Sequence, residues 1–346
     1  MAVNMQKDFS ISFARFFAMI FIITCHIMQY HGFVLAWWFN VGVQMFLFIS
    51  GYLYGNRKIV NSIEFYKKTF KKILLDYEIY IVIFIFIVGI FSNIINLNVS
   101  NVINLLTFSG TVIGVEHLWF IPLILFCYLI VPIISQLFDS IKDKSNIYYS
   151  VYLIILVIII GMSVYFYFKY FNSSWVNCFV LGMIFSRTEK ERHNINIILK
   201  KIIICLAIVM NVVQIYIDYF SNIEIAGNIV VLYSKWCNYA HVFLGILCVL
   251  IFRKLYFSLK LKSTFVNSML DLSDKYSYDI YIVHQIYILG PLSIFNIIES
   301  KITATLVIIL LIIISSIFLR KISEWILRNW NKQLKFNIKV KRLKHI

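Results

Sequence analysis

The sequence is organised as long apolar runs separated by short polar connections. Each run continues for about 20 residues without alternating apolar and polar positions, which is typical of helices that cross a bilayer rather than of barrel strands. We therefore predict an all-α integral membrane protein, a bundle of about ten transmembrane helices. The predicted spans are residues 9–30, 37–55, 73–93, 117–138, 147–168, 172–186, 202–220, 229–252, 276–297 and 302–327.

The composition agrees with that pattern. The chain has 346 residues, of which 61% are hydrophobic and only 14% charged. A soluble domain has about 45–50% apolar and about 25% charged residues. The first apolar run contains Arg15 and lacks a small-residue cleavage site, so we do not expect it to be a cleavable signal peptide.

The positive charge is concentrated in alternate connections. Of the 32 Lys and Arg residues, 28 lie at the N-terminus, in the connections that follow even-numbered spans, or from Arg320 to the end of the chain. By the positive-inside rule, this distribution predicts that both termini are cytoplasmic. The net charge of +16 then reflects topology and attraction to anionic membrane lipids, and nucleic acid is not an expected partner. We predict a polytopic membrane domain at 1–330 and a basic cytoplasmic tail at 331–346.

The first span contains two side chains that are costly in lipid, Arg15 and His26. Ionisable groups at that depth usually face a bundle interior, a cavity or a partner. The separation of eleven positions corresponds to about three turns, so both side chains lie on one helix stripe about 16 Å apart. The stripe indicates a polar channel. The alternative is that Arg15 snorkels to the inner surface and His26 is a satisfied interfacial histidine.

The second and third spans supply further candidates. The glycines of the second span permit close packing, which we expect against the first span, and Ser50 needs a polar partner in lipid. Four lysines before the third span form one cationic helix face, Lys67, Lys68, Lys71 and Lys72. That face binds either lipid headgroups or the phosphates of a cytoplasmic ligand.

Polar residues also occur at the start of the fourth span and in the ninth. Glu116, His117 and Trp119 precede or begin the fourth span, and Tyr281 and His284 lie in the ninth. A Trp at this depth is ordinary for an interfacial belt, whereas an adjacent acid and imidazole are less ordinary. The six cysteines have no paired spacing, so neither a metal site nor a disulfide framework is expected.

Four stretches, in chain order, resemble motifs of the acyltransferase family 3 membrane O-acyltransferases of bacteria. They are the Arg-x10-His spacing of Arg15 and His26, a Gly-Val…Phe…Ser-Gly-Tyr pattern at 42–52, His-Leu-Trp-Phe at 117–120, and Ser-Tyr-x-x-Tyr-x-x-His at 277–284. The second stretch is one residue longer than the family pattern. Each motif alone is weak, but four in order over nearly the whole chain are specific.

The resemblance implies O-acyl transfer, usually of acetyl, from a cytoplasmic acyl-coenzyme A (acyl-CoA) to a hydroxyl of a cell-surface or lipid-linked glycan. Acetyl-CoA is then a donor substrate, and no bound cofactor is expected. Histidine is the usual general base near neutral pH, which favours His26 in that role. Arg15 would pair with donor phosphates or hold a carboxylate. The unranked substrate or oxyanion candidates are Ser50, Glu116, His117, Trp119, Tyr281 and His284.

The chain departs from the family pattern in two ways. Lysines occupy 67–72 where the family often has arginines, and lysine lacks bidentate phosphate geometry. We also expect a stand-alone membrane domain without the esterase-like domain that some members carry. A transporter or flippase for a lipid-linked sugar or small metabolite is the alternative function. A many-span polysaccharide polymerase is disfavoured, because the longest outer connection, 94–116, is short.

Overall fold

Helices make up every regular element of the computed structural model, within the residues that it describes. These are residues 7–90, 99–108, 112, 114–168, 170–221, 225–261 and 263–343, with side chains described outside 88–90 and 331–343. The α-helices are α1 Phe9–Tyr30, α2 Ala36–Phe39, α3 Val41–Gly55, α4 Ser62–Ile90, α5 Val99–Leu106, α6 Phe120–Ile141, α7 Asn146–Tyr167, α8 Ser173–Glu191, α9 His193–Tyr219, α10 Asn228–Ser258, α11 Thr264–Ile288 and α12 Lys301–Leu343. Short 3-10 turns occupy Glu116–Trp119 and Ile294–Asn296.

Six segments in the described part of the chain are long and apolar enough to cross a bilayer. They correspond to α1, α6 with its preceding 3-10 turn, α7, α9, α10 and the first part of α12. The other four predicted spans coincide with α2–α3, α4, α8 and α11. The all-helical membrane class is therefore confirmed, whereas the count of ten spans and the side of the termini stay predictions.

The ends of two predicted spans differ from the helices. The predicted span 37–55 is divided at Asn40, whose backbone N–H bonds to the carbonyls of both Ala36 and Trp37. The predicted span 276–297 extends beyond α11, which ends at Ile288. Gly290 and Pro291 follow, and proline has no backbone N–H with which to continue a helix. The backbone N–H of Gly290 bonds instead to the Gln285 carbonyl at 2.9 Å.

The chain separates into two compact units, the first formed by residues 1–66 and 122–274 and the second by 67–121 and 275–346. In the first unit α3 is the central helix, and it packs against α1, α8 and α10. The fully buried side chains of α3 and α8 include Phe48, Phe179 and Phe185. These residues place the hydrophobic core of the unit between α3 and α8.

Glycines allow this close packing. A Cβ on Gly42 would lie 2.5 Å from the Ala18 carbonyl oxygen of α1, as expected for packing against the first span. Gly51 instead faces the backbone of Phe179 on α8, and Gly182 of α8 faces the backbone of Phe48 in return. The expectation that the α3 glycines serve contact with the first span is thus only half right, because Gly51 serves contact with α8.

The second unit contains most of α4, together with α5, the Glu116–Trp119 turn, the end of α11 and α12. Partly buried hydrogen bonds cross between its helices. The Tyr278 hydroxyl donates to the Ile73 carbonyl at 3.0 Å, and the Tyr287 and Ser315 hydroxyls are 2.6 Å apart. The lysines at 67–72 lie on the same continuous helix as the predicted third span, as the sequence suggested.

Candidate functional site

In the first unit, Arg15 is paired with a carboxylate of the chain itself. Its Nη1 lies 3.0 Å from Asp274 Oδ1, and the Ser12 hydroxyl donates to Asp274 Oδ2 at 2.6 Å. Lys7 Nζ lies 2.7 Å from the same Oδ2 and 2.5 Å from the Asp271 carboxylate. The guanidinium of Arg15 therefore has a carboxylate of the same chain as its partner.

Lys7 lies outside the membrane-spanning helices. Burial works against its charged form, but the hydrogen bonds and charges of Asp271 and Asp274 outweigh burial and raise the pKa of Lys7. The ammonium is therefore held in its charged form beside Asp274. Lys7 and Arg15, two cations near the beginning of α1, thus share the partly buried carboxylate of Asp274.

A second charged cluster in this unit surrounds Arg253 of α10. Its guanidinium lies 3.1 Å from Glu189 Oε2 and 3.2 Å from Asp8 Oδ2, and 4.9 Å from the ring centroid of Tyr52. The Tyr52 hydroxyl donates to Glu189 at 2.6 Å, and Asp8 also caps α1 by accepting from the Ser10 backbone N–H at 3.0 Å. The cluster therefore ties the start of α1 to α3, α8 and α10.

Glu189 lies beyond the predicted sixth span, outside the membrane-spanning segments. Burial favours its neutral form, but Arg253, the Tyr52 hydroxyl and Lys200 together outweigh burial and lower the pKa of Glu189. The carboxylate is thus ionised at neutral pH and holds Arg253 in place. The start of α1, which leads to Arg15, is consequently anchored by charge pairs.

His26 lies on the same continuous helix as Arg15, so the predicted stripe geometry applies to the folded chain. Its Nδ1 donates to Gln29 Oε1 at 2.7 Å, one turn further along. This bond places the proton on Nδ1 and the lone pair on Nε2, the arrangement that a general base needs. The ring is half-buried, while the adjacent Cys25 is buried.

Ser50 lies close to Tyr128, a residue that sequence analysis did not identify as a candidate. The Tyr128 hydroxyl of α6 has Ser50 of α3 as a side-chain partner, and the Arg15 guanidinium is close enough to act on it electrostatically. Helices α1, α3 and α6 thus bring a cation and two hydroxyl groups together in the first unit. Such donors can stabilise developing negative charge on oxygen.

In the second unit, the imidazoles of His117 and His284 form one buried cluster. His117 Nε2 donates to the Ile282 carbonyl at 3.0 Å, and its ring centroid lies 4.8 Å from that of His284. The Tyr281 hydroxyl donates to the His117 carbonyl, and His284 Nδ1 donates to the Tyr281 carbonyl at 2.6 Å. His117, Tyr281 and His284, predicted separately, are therefore brought together.

Gln285 connects this cluster to Glu116. Its amide nitrogen donates to Glu116 Oε2 at 2.7 Å, and its amide oxygen accepts from the His117 backbone N–H at 3.0 Å. Gly114 also donates to Glu116, and its φ of +94° requires a glycine. The Glu116 carboxylate thus serves to shape this turn. Trp119, in the same turn, is half-buried.

The four lysines of the predicted cationic face are all exposed on α4. Lys71 Nζ lies 5.0 Å from the ring centroid of Trp330 on α12. Behind this face, the carboxylates of Asp76 and Asp279 lie 3.6 and 3.0 Å from the guanidinium of Arg320. The Asp76 and Asp279 side chains are 2% and 0% exposed, so this is a buried group of two acids and one base.

Comparison with known proteins decides the family. The family model described as an acyltransferase domain, that of acyltransferase family 3, matches residues 8–321. The chain belongs to acyltransferase family 3. The resemblance found in the four motifs is thereby confirmed. Family membership and the long apolar helices together identify the chain as a membrane acyltransferase. No curated protein and no solved structure matches it.

Sequence analysis of this family 3 acyltransferase missed charged and polar residues that are paired across the fold: Asp274 and Gln285 are partners of predicted residues, and Glu189 and Arg253 pair with each other. Each of these four contacts a residue more than 60 positions away. Helical periodicity relates residues only within one helix, so it could not pair them. The available signal was that an ionisable residue within or beside a span requires a partner.

We expect Asp274→Asn to destabilise the protein measurably. The change leaves Arg15 and Lys7 without their shared charge, and breaking a fully buried pair costs about 3–5 kcal/mol. Because Asp274 is 13% exposed, the loss in free energy of unfolding should lie somewhat below that range. Asp271→Asn is the matched control, since Asp271 is 54% exposed and an exposed pair contributes below about 1 kcal/mol. Equal thermal stability of the two variants in detergent would contradict the assignment.

Proposed function

We propose that this acyltransferase moves an acyl group, most simply acetyl, from cytoplasmic acyl-CoA to a hydroxyl of a cell-surface polysaccharide or lipid-linked glycan. The observation that carries the proposal is the stripe on α1. There Arg15 is held by Asp274, and His26 is oriented by Gln29 with its Nε2 as the proton acceptor. The protein would act in the cell membrane of a bacterium.

In the proposed reaction, the acceptor hydroxyl attacks the carbonyl carbon of the donor thioester. His26 Nε2 takes the hydroxyl proton as the new C–O bond forms, and the C–S bond then breaks to release coenzyme A as a thiolate. Negative charge develops on the carbonyl oxygen between these steps. Hydrogen-bond donors within reach of that oxygen would stabilise it. Arg15 lies about 16 Å from His26 along α1, so Arg15, with Ser50 and Tyr128 beside it, would contact a more cytoplasmic part of the donor. The proton from His26 can finally neutralise the thiolate, so the exchange balances.

The direct test is acyl transfer by the purified full-length protein in lipid nanodiscs. Acetyl-CoA labelled in the acetyl group is supplied together with an envelope extract from the host cell. The proposal predicts that label enters a glycan fraction and that hydroxylamine, which cleaves esters, releases it. A transporter or flippase would leave the label in acetyl-CoA. Family membership supports the enzyme over the transporter.

The donor side depends on the topology, which we propose to be ten spans with both termini cytoplasmic. In a cysteine-free background, Val60→Cys and Tyr170→Cys place thiols at positions that are 89% and 62% exposed. An impermeant maleimide added to intact cells should label position 170 and not position 60. Labelling of position 60 from outside would contradict both the proposed topology and the proposed binding of the acyl donor from the cytoplasm.

We further propose that the lysine face binds the phosphates of acyl-CoA. Neutralising Lys68 and Lys71 to Gln should then raise the KM for acetyl-CoA several-fold, with a smaller effect on kcat. High salt should mimic the change, because charge pairs at exposed lysines are screened. The control is Lys142→Gln with Lys144→Gln, two exposed lysines of another basic connection. An unaltered KM with reduced membrane insertion would mean that the lysines are topology signals and lipid contacts only.

A further inference from the structure

Helix α10 of the first unit carries a histidine whose burial the proposed reaction does not explain. His241 is 1% exposed, and neither ring nitrogen has a hydrogen-bond partner within the described part of the chain. A polar group buried without such a partner costs about 1–3 kcal/mol by protein mutational data. Native proteins contain few of these groups, and each needs a reason. A ligand that supplies the missing hydrogen bonds is one such reason.

Two tryptophans cover this imidazole. The ring centroids of Trp37 and Trp38 on α2 lie 4.3 and 5.6 Å from that of His241. Trp37 is 39% exposed, so one part of its indole contacts the imidazole while the rest faces outward. Interfacial tryptophans are common in membrane proteins, and a belt role would account for the exposed indole. It would not account for an imidazole buried beneath the indole without a partner.

The surroundings of the two tryptophans are aromatic with a few polar groups. Trp38 Nε1 donates to the Tyr219 hydroxyl at 3.4 Å, and Tyr219 is 48% exposed at the end of α9. We call Trp37, Trp38, Tyr219 and His241 the aromatic platform.

We propose that the aromatic platform binds the acceptor as a pyranose ring with free hydroxyl groups, which deepens the proposed function and rests on it. The exposed indole of Trp37 offers a flat apolar surface for the C–H face of the sugar. The imidazole of His241 can both donate and accept, as a hydroxyl does. Because it is 1% exposed, a sugar hydroxyl reaches it only when the Trp37 indole turns aside. Apolar and aromatic walls with a few convergent polar groups are the usual composition of a small-ligand site.

The buried position of His241 gives this proposal a readout that a packing role would not produce. His241→Phe keeps a ring against Trp37 and removes both unpartnered nitrogens. Replacing such a group with an apolar one of similar shape is neutral or stabilising. We therefore expect the variant to unfold at the same or a higher temperature, while its affinity for saccharide falls about tenfold, the effect of losing one or two hydrogen bonds. Trp37→Ala should weaken saccharide binding by a similar factor, through lost stacking.

The experiment uses the full-length protein in nanodiscs and two probes from the host cell. One is delipidated envelope polysaccharide, and the other is the solvent extract that contains lipid-linked saccharides. Saturation-transfer NMR reports which sugar ring protons contact the protein, and titration gives the affinity. Phe33→Ala is the matched control, because Phe33 is 52% exposed in the same connection as Trp37 and belongs to no part of the platform.

The inference predicts ring-proton signals with at least one probe, and weaker signals in Trp37→Ala and His241→Phe but not in Phe33→Ala. The probe that gives the signals would identify the source of the sugar. Signals from neither probe, or unchanged affinity in both platform variants, would overturn the inference. A lower unfolding temperature in His241→Phe would assign the histidine to packing and would likewise contradict it. Transfer of labelled acetyl, measured on the same samples, tests the proposed function separately. Saccharide binding without transfer would contradict the proposed acyl transfer and would still support saccharide binding by the aromatic platform.

Discussion

His26→Ala is expected to lower acyl transfer by about 10² to 10⁴-fold, the contribution typical of a positioned general base. The substitution removes Nε2, the atom that takes the acceptor's proton, and it also removes the hydrogen bond to Gln29. The ring is only half-buried, so its loss should leave the bundle folded in the membrane. The measurements are transfer of labelled acetyl and the unfolding temperature of the same preparation.

His31→Ala is the matched control for this prediction. His31 follows the last residue of α1 and lies outside the stripe that Arg15 and His26 share. Its loss should leave transfer close to normal. Near-normal transfer by His26→Ala would mean that His26 is structural, and the base would then be sought at His117 or His284. Those two imidazoles lie in the second unit. One ring nitrogen of each already donates a hydrogen bond to a backbone carbonyl.

The α1 stripe shows what a sequence can predict about this site. Helical geometry is local, so eleven residues of spacing suffice to place Arg15 and His26 on one face once the helix is continuous. The same reasoning correctly joined the lysines of 67–72 to the third span. It also predicted the contact of Gly42 with α1, since small residues permit close approach.

What spacing cannot supply is the partner on another helix. Asp274 was visible in the sequence, but nothing in its neighbourhood connects it with Arg15, 259 residues earlier. His241 gave even less signal, because a lone histidine in an apolar run is most simply a packed one. Its significance comes from the two tryptophans placed over it and from the hydrogen bonds that it lacks in the described chain. Both features arise only when helices from distant parts of the sequence are packed together.

Arg320→Met is expected to cause the largest loss of stability. Arg320 lies between the carboxylates of Asp76 and Asp279, and it also donates to the Lys275 carbonyl at 2.7 Å. Removing it leaves two buried acids without their cation, and breaking a buried ion pair in this way costs about 3–5 kcal/mol. The expected result is a clear fall in the unfolding temperature of the detergent-solubilised protein, or failure to accumulate in the membrane.

Arg328→Met is the control on the same helix. Arg328 is 76% exposed and pairs only with Glu324 one turn away among the described residues, an arrangement that contributes about 0.3–0.5 kcal/mol. If Arg320→Met unfolded no more easily than this control, the buried group would not stabilise the unit.

A combined variant separates charge from packing. When Arg320→Met is joined with Asp76→Asn and Asp279→Asn, none of the three charges of this buried group remains, and much of the lost stability should return. Replacing a whole buried ion pair with neutral groups is often tolerated, whereas removing one member is not. Recovery in the triple variant would therefore assign the cost to the uncompensated carboxylates. A triple variant as unstable as Arg320→Met would assign it to the packing of the arginine side chain between α4, α11 and α12.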